Sequence, residues 1–415
     1  MADFRAFRAV RPTAKKAGRV AALPYDVVDR EEARAIGEAN PDSFLHVDRA
    51  EMDLEPSIDL YDPRVYQKAK ENLDRLSTEG TMIQDEEPCF YLYELTRLSK
   101  VQTGIVGVSS IDDYRKEIIK KHELTREDKE QDRIRHVDVC DANTGPIFLA
   151  CRYPESLLSL VESWKAGHAP VYDFTADDGI THRVWIVDDE AVCEEIRREF
   201  ADIPAVYIAD GHHRTASAVK VGLKRREANP DFRGDEEFNY FLSVVFPFDQ
   251  LSILPYNRVV KDLFGHSVEE FMEEIKKDFS VLPVPSGTCQ PVEKHSIGMY
   301  CAGSWYLLKA KPETYEDSDV VGQLDVSILQ NRVLQPLLGI QDPRTDKRIR
   351  FVGGSHPLTE LQESVDQNGG VAFVMFPTSM EDLMAIADES KLMPPKSTWF
   401  EPKLRSGLFI HKLSD

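Results

Sequence analysis

The feature that most constrains this chain is an apolar run that ends abruptly in polar residues. Residues 205–209 predict a buried strand, and the run Asp-Gly-His-His-Arg-Thr at residues 210–215 follows directly. A helical pattern then begins at Thr215. The polar run is therefore predicted to form a tight strand-to-helix turn, which Gly211 suits because it has no Cβ atom.

A turn of this kind is a natural place for an anion. The first turn of a helix presents backbone N–H groups without intrahelical partners, at the positive end of the helix dipole. Asp210 is a candidate to bind Mg²⁺ or to orient an attacking hydroxyl. The alternative is that Asp210 only caps the helix, but burying so many adjacent polar groups without partners costs free energy. We predict that phosphate or nucleotide is bound by Gly211, His212, His213, Arg214 and Thr215.

Other phosphate-binding and catalytic motifs do not occur in the sequence. It contains neither G-x-x-x-x-G-K-[ST] nor G-x-G-x-x-G, so the P-loop and Rossmann signatures are absent. The zinc-protease spacing H-E-x-x-H and the hydrolase motif G-x-S-x-G are absent as well.

A second segment, Lys121-His122-Glu123, precedes a predicted helix over residues 126–137. Thr125 and Asp128 have the spacing of a T-x-x-D capping box, which would place His122 and Glu123 in a loop. A loop carboxylate is suited to act as a general base. Taken alone, the segment is more typical of a solvated charged stretch.

A third segment lies near the C-terminus, at residues 394–403. It combines lysines and hydroxyls with prolines that stiffen the backbone, and these are groups that bind an anion. The candidate substrate or phosphate contacts are Lys396, Ser397 and Thr398, together with His122 of the second segment. The alternative is a structural segment whose Trp399 and Phe400 fill a groove, and the two roles are compatible.

Composition narrows the choice of partners. The chain of 415 residues has 51 Lys and Arg against 72 Asp and Glu, a formal charge of −21. This charge disfavours nucleic acid, whose phosphates are bound by basic surfaces, but allows one local basic pocket. Six scattered cysteines without a C-x-x-C pair favour reduced thiols and a cytoplasmic location. No apolar stretch is long enough to span a bilayer, so no membrane association is expected.

The periodicity of the remaining sequence predicts a mixed α/β (α+β) fold. Strands are expected at residues 89–95, 103–109, 182–187, 205–209, 241–246, 299–308, 349–352 and 371–376. Helices are expected at residues 30–39, 64–79, 126–137, 154–164, 191–199, 215–227, 268–278, 327–338 and 380–389. We predict an N-terminal extension packed on the core over residues 1–110, a phosphate-binding core over 111–265 and a smaller α/β domain over 266–415. The last residues of that domain are expected to return to the site.

Together the motifs resemble the DUF1015 family. The resemblance spans nearly the whole chain, and its most specific part is Asp-Gly-His-His-Arg at residues 210–214. It also includes Pro-Tyr-Asp-Val-Val at 24–28, Asn-Pro at 40–41, Phe-Leu-His-Val at 44–47, Lys-His-Glu at 121–123, Phe-Val-Gly-Gly at 351–354, and residues 393–407.

More distantly, the chain is similar to the ParB/sulfiredoxin superfamily, and within it to the free-serine kinases. Those kinases carry an H-E loop, a D-G-H-H-R turn and a C-terminal P-K-T-T-R-H segment in the same order. The resemblance implies a ParB/sulfiredoxin-like core with Glu123 as the base and Asp210 in support. It also implies that the segment at 395–398 contacts serine and phosphate. Trp399 and Phe400 stand where the kinases have Arg-His, and Arg258, Arg344 and Lys403 are open alternatives for holding the serine carboxylate.

The other branches of that superfamily fit the sequence less well. Sulfiredoxins place a reactive Cys where this chain has His212. DNA-segregation ParB proteins have a G-E-R-R motif and a basic surface, which the charge of −21 disfavours.

The activity that the resemblance implies is phosphorylation of free L-serine to O-phosphoserine. The expected donor is ATP, with ADP or pyrophosphate as alternatives, and Mg²⁺ is the expected cofactor. A ParB-like switch or hydrolase that binds CTP or ATP without a serine substrate is the main alternative. A scaffold without specific nucleotide affinity is a weaker one, and the sequence leaves homo-oligomerisation open.

Overall fold

A computed structural model describes residues 2–414 of the protein. The chain divides into two compact units. Unit 1 comprises Met1–Leu251 together with Pro402–Asp415, and unit 2 comprises Ser252–Glu401. Unit 2 is therefore inserted into unit 1 between two parts of the same chain.

The strands of unit 1 fall into one large sheet and two short ribbons. They are β1 (Phe4–Arg5), β2 (Val10–Pro12), β3 (Met82–Gln84), β4 (Phe90–Arg97), β5 (Lys100–Ser110), β6 (Ile119–Lys120), β7 (Ala142–Asn143), β8 (Ile147–Cys151), β9 (Tyr172–Thr175), β10 (Thr181–Val187), β11 (Val206–Asp210), β12 (Tyr240–Pro247) and, near the C-terminus, the strand His411–Lys412. The large sheet has the order β6-β11-β8-β12-β5-β4-β10-β9, and β1 pairs with β5. The ribbons are β2 with β3, and β7 with His411–Lys412.

The large sheet is mixed. The β6–β11 and β8–β12 pairs are parallel, whereas β4–β5, β5–β12 and β8–β11 are antiparallel. Every residue of β12 is buried, as expected for a central strand covered on both faces.

The helices of unit 1 cover this sheet and build a second apolar cluster beside it. They are α1 (Ala17–Val20), α2 (Arg30–Ala39), α3 (Leu45–Asp48), α4 (Pro63–Thr78), α5 (Ile111–Arg115), α6 (Glu127–Cys140), α7 (Glu155–Gly167), α8 (Glu190–Asp202) and α9 (His212–Ala228). Leu157 of α7 and Ile196 of α8 belong to the core cluster that includes Leu149 and Phe241 of the sheet. The second cluster joins α2, α3 and α4.

Unit 2 is an antiparallel sheet with helices. Its strands are β13 (Ser252–Leu254), β14 (Tyr256–Val260), β15 (Phe279–Val284), β16 (Ser296–Cys301), β17 (Ser304–Ala310), β18 (Ile349–Gly353), β19 (Val371–Met375) and β20 (Trp399–Glu401), so that His411–Lys412 is β21. Its helices are α10 (Val268–Asp278), α11 (Asp325–Leu329), α12 (Leu358–Asn368) and α13 (Met380–Asp388), and a π-helix at Gln330–Leu334 continues α11. The sheet order is β15-β17-β16-β19-β14-β18, and β13 pairs separately with β20.

The mixed α/β class is confirmed. The units, however, do not follow the predicted boundaries at residues 110 and 265. Within the predicted N-terminal extension, β1, β4 and β5 belong to the large sheet. Only the part of the C-terminal segment from Pro402 onward belongs to unit 1. Within residues 2–414, no helix combines the length and the apolar character that crossing a membrane requires.

Candidate functional site

Parallel pairing of β6 with β11 brings together two segments that are far apart in the sequence. The register aligns Ile119 with Val206 and Lys120 with Tyr207. Parallel strands end at the same edge of a sheet, so the residues after β6 lie beside those that end β11. His122 and Glu123 are therefore neighbours of the Asp210–Gly211 turn, as the close contact of His122 with His212 confirms.

Gly211 makes the turn between β11 and α9. It has φ = 97°, in the left-handed region that favours glycine, and it is the N-cap of α9 without a side-chain capping bond. The helix begins at His212, not at Thr215 as predicted, so three of the predicted phosphate contacts lie in its first turn. Because glycine has no side chain, the N-cap of this 17-residue helix cannot accept hydrogen bonds from the first-turn N–H groups. Those groups are therefore suited to an anion.

Thr215 has a structural role in this turn. Its side chain is fully buried, and its hydroxyl donates a hydrogen bond to the Gly211 carbonyl at 3.0 Å. Its backbone N–H donates to the same carbonyl at 2.9 Å. Thr215 thus stabilises the first turn of α9 from the inside, and its predicted phosphate contact stays untested.

Asp210 is held by basic groups. Its Oδ2 accepts a hydrogen bond from Lys403 Nζ at 3.0 Å, and its Oδ1 accepts one from the Gly211 N–H at 2.9 Å. Burial alone would raise the pKa of Asp210, but the charges of Lys403 and Arg214 outweigh it and hold that pKa well below the ordinary value. Asp210 is therefore a carboxylate at neutral pH.

Arg214 is oriented by the backbone. One terminal guanidinium nitrogen donates to the Pro146 carbonyl at 2.7 Å. The side chain also lines a cavity of about 30 Å³ with Tyr25, Asp48 and Arg133, roughly the space of one water molecule. Tyr25 is stacked by the Arg133 guanidinium, 4.1 Å from the ring centroid. Tyr25 of the N-terminal Pro-Tyr-Asp segment therefore lies close to Arg214.

His122 and His212 form a buried pair. Their rings are 4.4 Å apart, edge to face, and only 1% and 7% of the two residues is exposed. The His122 backbone N–H donates to His212 Nε2 at 3.5 Å. Burial lowers the pKa of His122 to about 4, against a smaller opposing effect of Asp210. Burial and the neighbouring His122 lower the pKa of His212 well below its usual value, so both rings are neutral at pH 7.

Glu123 completes a group that could hold a metal ion. Ligand atoms of His122, Glu123 and His212 all lie within 4.8 Å of one another. Neither ring nitrogen of His122 meets a hydrogen-bond partner in good geometry among the described residues, although the Ile208 backbone acts to raise its pKa. Imidazole nitrogens suit transition metals, whereas Mg²⁺ prefers oxygen ligands. This donor set does not fit Mg²⁺, and both carboxylate oxygens of Asp210 already accept hydrogen bonds.

His213 faces the loop before α6. Its Nε2 accepts a hydrogen bond from the Arg126 N–H at 3.0 Å. The capping box predicted for α6 is wrong, because the helix begins at Glu127 with Arg126 as an N-cap that makes no side-chain capping bond. The Thr125 hydroxyl instead donates to Glu130 Oε2 at 2.7 Å. His213 therefore connects α9 to the segment that follows Glu123.

A scan against protein families matches residues 4–327 to the model described as "Protein of unknown function (DUF1015)". The match covers well over half of the chain. The chain belongs to the DUF1015 family. No curated protein matches it.

Solved structures give more distant likenesses to this DUF1015 protein. A mutant free serine kinase in complex with ADP has 13% identity and a TM-score of 0.39, and the alignment covers 75% of this chain and 93% of that one. A free serine kinase in complex with AMP has 13% identity and a TM-score of 0.38, with coverages of 74% and 91%. A C-terminally truncated SbnI from Staphylococcus aureus has 13% identity and a TM-score of 0.37, with coverages of 72% and 85%. Likenesses this weak define no function, and the ParB/sulfiredoxin-like core stays a prediction.

The third predicted segment of the DUF1015 protein belongs to unit 2. Lys396 has φ = 56°, and its ammonium lies 5.3 Å from the centroid of the Tyr256 ring. Ser397 Oγ donates to the Pro394 carbonyl at 2.6 Å, and Thr398 directly precedes β20. The prediction that these residues contact substrate or phosphate remains untested.

Lys403 is the site residue whose position sequence reasoning did not predict. It was weighed as one of three alternatives for a serine carboxylate, yet its ammonium pairs with Asp210. Its side chain is 12% exposed and that of Asp210 28%. The contact joins residues 193 positions apart, so no local pattern could have indicated it.

Proposed function

We propose that this DUF1015 protein transfers a phosphoryl group from a nucleotide to the hydroxyl of a small acceptor, with free L-serine as the first candidate. The observation that carries the proposal is the parallel pairing of β6 with β11. That pairing sets a carboxylate, Glu123, beside a helix start that is suited to phosphate. Phosphoryl transfer requires positioning and charge neutralisation more than covalent chemistry from the protein.

The phosphate side of the proposed site is the first turn of α9 with its basic neighbours. The His212 and His213 amides lie in the first turn of the helix, where the dipole favours negative charge, whereas the Gly211 N–H already donates to Asp210. Arg214 and Lys403 add two cations close to that end. A phosphate would compete with Asp210 for Lys403, so binding is expected to loosen that ion pair.

The acceptor side is assigned to Glu123, which would take the proton from the acceptor hydroxyl as it attacks. Neutral imidazoles at His122 and His212 adjoin it and add no positive charge that would weaken it as a base. Asp210 stays ionised and holds Lys403 near the helix start until a phosphate binds. No set of protein ligands for Mg²⁺ is assigned.

Serine as the acceptor rests on the motif resemblance. The order of Glu123, the turn at residues 210–214 and Pro-Lys-Ser-Thr at residues 395–398 agrees with the free-serine kinases. Trp399 and Phe400 replace their Arg-His pair, so the carboxylate of a serine would have to be held differently. A cytoplasmic location and homo-oligomerisation remain predictions.

The direct test is turnover of L-serine with ATP, ADP and pyrophosphate as separate donors, in the presence of Mg²⁺. Phosphorus NMR would detect O-phosphoserine and identify the spent donor. If no donor yields phosphoserine, serine is not the acceptor. A panel of other hydroxyl-bearing amino acids and sugars then decides whether phosphoryl transfer itself should be abandoned.

The Glu123→Gln variant tests the base. Because a positioned general base contributes about 10²–10⁴-fold, kcat should fall by about that factor while nucleotide binding, measured by calorimetry, changes little. The matched control is Glu127→Gln, which removes the charge of a 72%-exposed side chain at the start of α6. Turnover by Glu123→Gln at the rate of this control would contradict the assignment.

A second candidate function is a nucleotide-binding switch without an acceptor. It shares the helix start that is suited to phosphate but requires no acceptor pocket beside Glu123. Calorimetry with CTP and ATP, with and without serine, separates the two functions. A kinase predicts that serine and nucleotide influence each other's binding, whereas a switch predicts that serine has no effect.

A further inference from the structure

Unit 2 contains a cleft of about 450 Å³ whose lining residues have no role in the phosphoryl transfer proposed above. Its volume falls within the range of roughly 300–1,000 Å³ that is typical of small-molecule sites. It lies wholly among residues of this unit. The lining residues that matter here are Arg258, Gln330, Leu334, Arg344, Phe351 and Pro394.

Arg258 is the notable residue of the cleft wall. It stands on β14 and is only 3% exposed. Its guanidinium donates to the Tyr256 carbonyl and, at 3.0 Å, to the Lys396 carbonyl. It also lies 5.3 Å from the centroid of the Phe351 ring. Carbonyls and a ring face orient the guanidinium, but they do not neutralise its charge.

Within residues 2–414, no carboxylate forms an ion pair with Arg258. Asp342 is the acidic residue among those that line the cleft, and it pairs with Arg344 at 2.9 Å. Burial lowers the pKa of Arg258 to about 9, opposed only by Tyr256, so the side chain remains protonated at neutral pH. Burying a cation without a counter-ion costs free energy. An anion that enters the cleft would pair with Arg258 and recover part of this free energy.

The rest of the wall suits an organic molecule. The π-helix Gln330–Leu334 contributes an amide and an apolar side chain, and helical irregularities of this kind are frequent at functional sites. Phe351 and Pro394 add a flat apolar surface. The volume exceeds what a bare phosphate ion needs, which favours a ligand with a carbon framework.

We propose that this cleft binds a small organic anion whose carboxylate or phosphate pairs with Arg258 while its apolar part lies against Phe351 and Pro394. The inference does not require the proposed kinase activity, since the burial and contacts of Arg258 and the volume of the cleft carry it. Arg344 at the rim would assist the approach of the anion.

The test is calorimetric titration of the full chain with four probes. AMP and O-phosphoserine carry a phosphate on an organic framework, citrate carries only carboxylates, and inorganic phosphate carries no framework. We expect at least one organic anion to bind more tightly than inorganic phosphate. Comparing the phosphate and carboxylate probes identifies which group Arg258 prefers.

Variants locate the binding. Arg258→Gln should weaken it at least about tenfold, and Arg258→Lys should restore part of it because the charge is kept without the fork. Arg344→Gln should weaken binding by about two- to fivefold. The matched control is Arg350→Gln on β18, which removes a 49%-exposed arginine that does not line the cleft and should leave affinity unchanged.

Three results would overturn the proposal. One is that no probe binds the wild-type chain at millimolar concentration. Another is that Arg258→Gln binds as the wild type does while Arg214→Gln does not, which would place the anion at the start of α9. The third applies if circular dichroism shows that Arg258→Gln is unfolded. Arg344→Gln and Arg258→Lys then replace it in the titrations, and wild-type affinity in both variants would contradict the proposal.

Discussion

At the scale of single residues, the burial of the Asp325 carboxyl group disfavours its ionised form. It is the first residue of α11 and is 9% exposed. One carboxylate oxygen has no hydrogen-bond partner among the described residues, and burial raises the pKa to about 7 against a smaller opposing effect of the His295 backbone. Part of unit 2 is thus folded around a carboxyl group that would be ionised in water.

This burial predicts a pH dependence of stability. A carboxyl whose pKa is raised by folding contributes stability at low pH that is lost as pH rises from about 4 to about 7, by up to about 1.4 kcal/mol per pH unit. Asp325→Asn removes the titration, so the variant should gain stability relative to the wild type between pH 5 and pH 8. Urea unfolding at both pH values measures the difference.

The control for Asp325 is Asp317→Asn, an exposed position of the same unit. Its stability relative to the wild type should be nearly the same at both pH values. If Asp325→Asn changed the free energy of unfolding by the same amount at pH 5 and pH 8, Asp325 would not titrate in this range.

At the scale of elements, the β11–α9 connection depends on Gly211. A Cβ atom added there would lie 3.2 Å from Arg214 Nε, in addition to the strain of φ = 97°. Left-handed backbone costs an alanine about 1–2 kcal/mol. Gly211→Ala should therefore lower the free energy of unfolding by at least that amount, and it should also weaken nucleotide binding, because Arg214 must move.

Gly80→Ala separates these two effects. Gly80 also has a positive φ, 71°, but a Cβ there would meet no atom within 4 Å. In chemical denaturation, this control should show the lower free energy of unfolding that backbone strain causes, and its nucleotide affinity should not change. Equal affinities for the two variants would argue against a phosphate contact at the start of α9.

Elements with local signals were predicted well from the sequence. The predicted ranges 30–39 and 268–278 are confirmed as α2 and α10, and both helices begin with a capping box. The prediction of one continuous strand over residues 299–308 is wrong. Ala302 and Gly303 have positive φ and form a turn between two strands, β16 and β17. The helix α12 was missed, and it starts after Pro357 without a side-chain cap that a pattern could reveal.

The candidate site was predictable in its parts but not in its assembly. Asp210 to Arg214 stood out because polar residues follow an apolar strand, and that signal is local. The strand β6 is two residues long, so its pairing with β11 left no mark in the periodicity. The contact of Lys403 with Asp210 depends on where the chain returns after unit 2, which is a property of the whole fold.

At the scale of the whole molecule, the C-terminal residues complete unit 1. Leu408, Phe409 and Ile410 are at most 1% exposed, and the Phe409 ring lies 5.3 Å from that of Tyr91. Phe409→Ala should lower the free energy of unfolding by about 3–5 kcal/mol, the usual cost of such a cavity. Lys412→Ala, an exposed position on β21, should change it by less than about 0.5 kcal/mol.

Urea or thermal unfolding compares these two variants with the wild type. The result also bears on function, because Lys403 is held by the same returning segment. If Phe409→Ala were as stable as Lys412→Ala, the C-terminal residues would not be part of the core of unit 1.

The insertion of unit 2 has a consequence for how the protein is made. When Leu251 leaves the ribosome, unit 1 still lacks the residues that fill its core from the C-terminal side. All of Ser252–Glu401 must be synthesised first, which takes on the order of ten seconds at about 5–20 residues per second. Throughout that delay the nascent chain exposes the apolar surface that Phe409 will cover, and Asp210 lacks Lys403 as a partner. The ribosome-bound protein is therefore expected to bind molecular chaperones until the residues from Pro402 onward have been released.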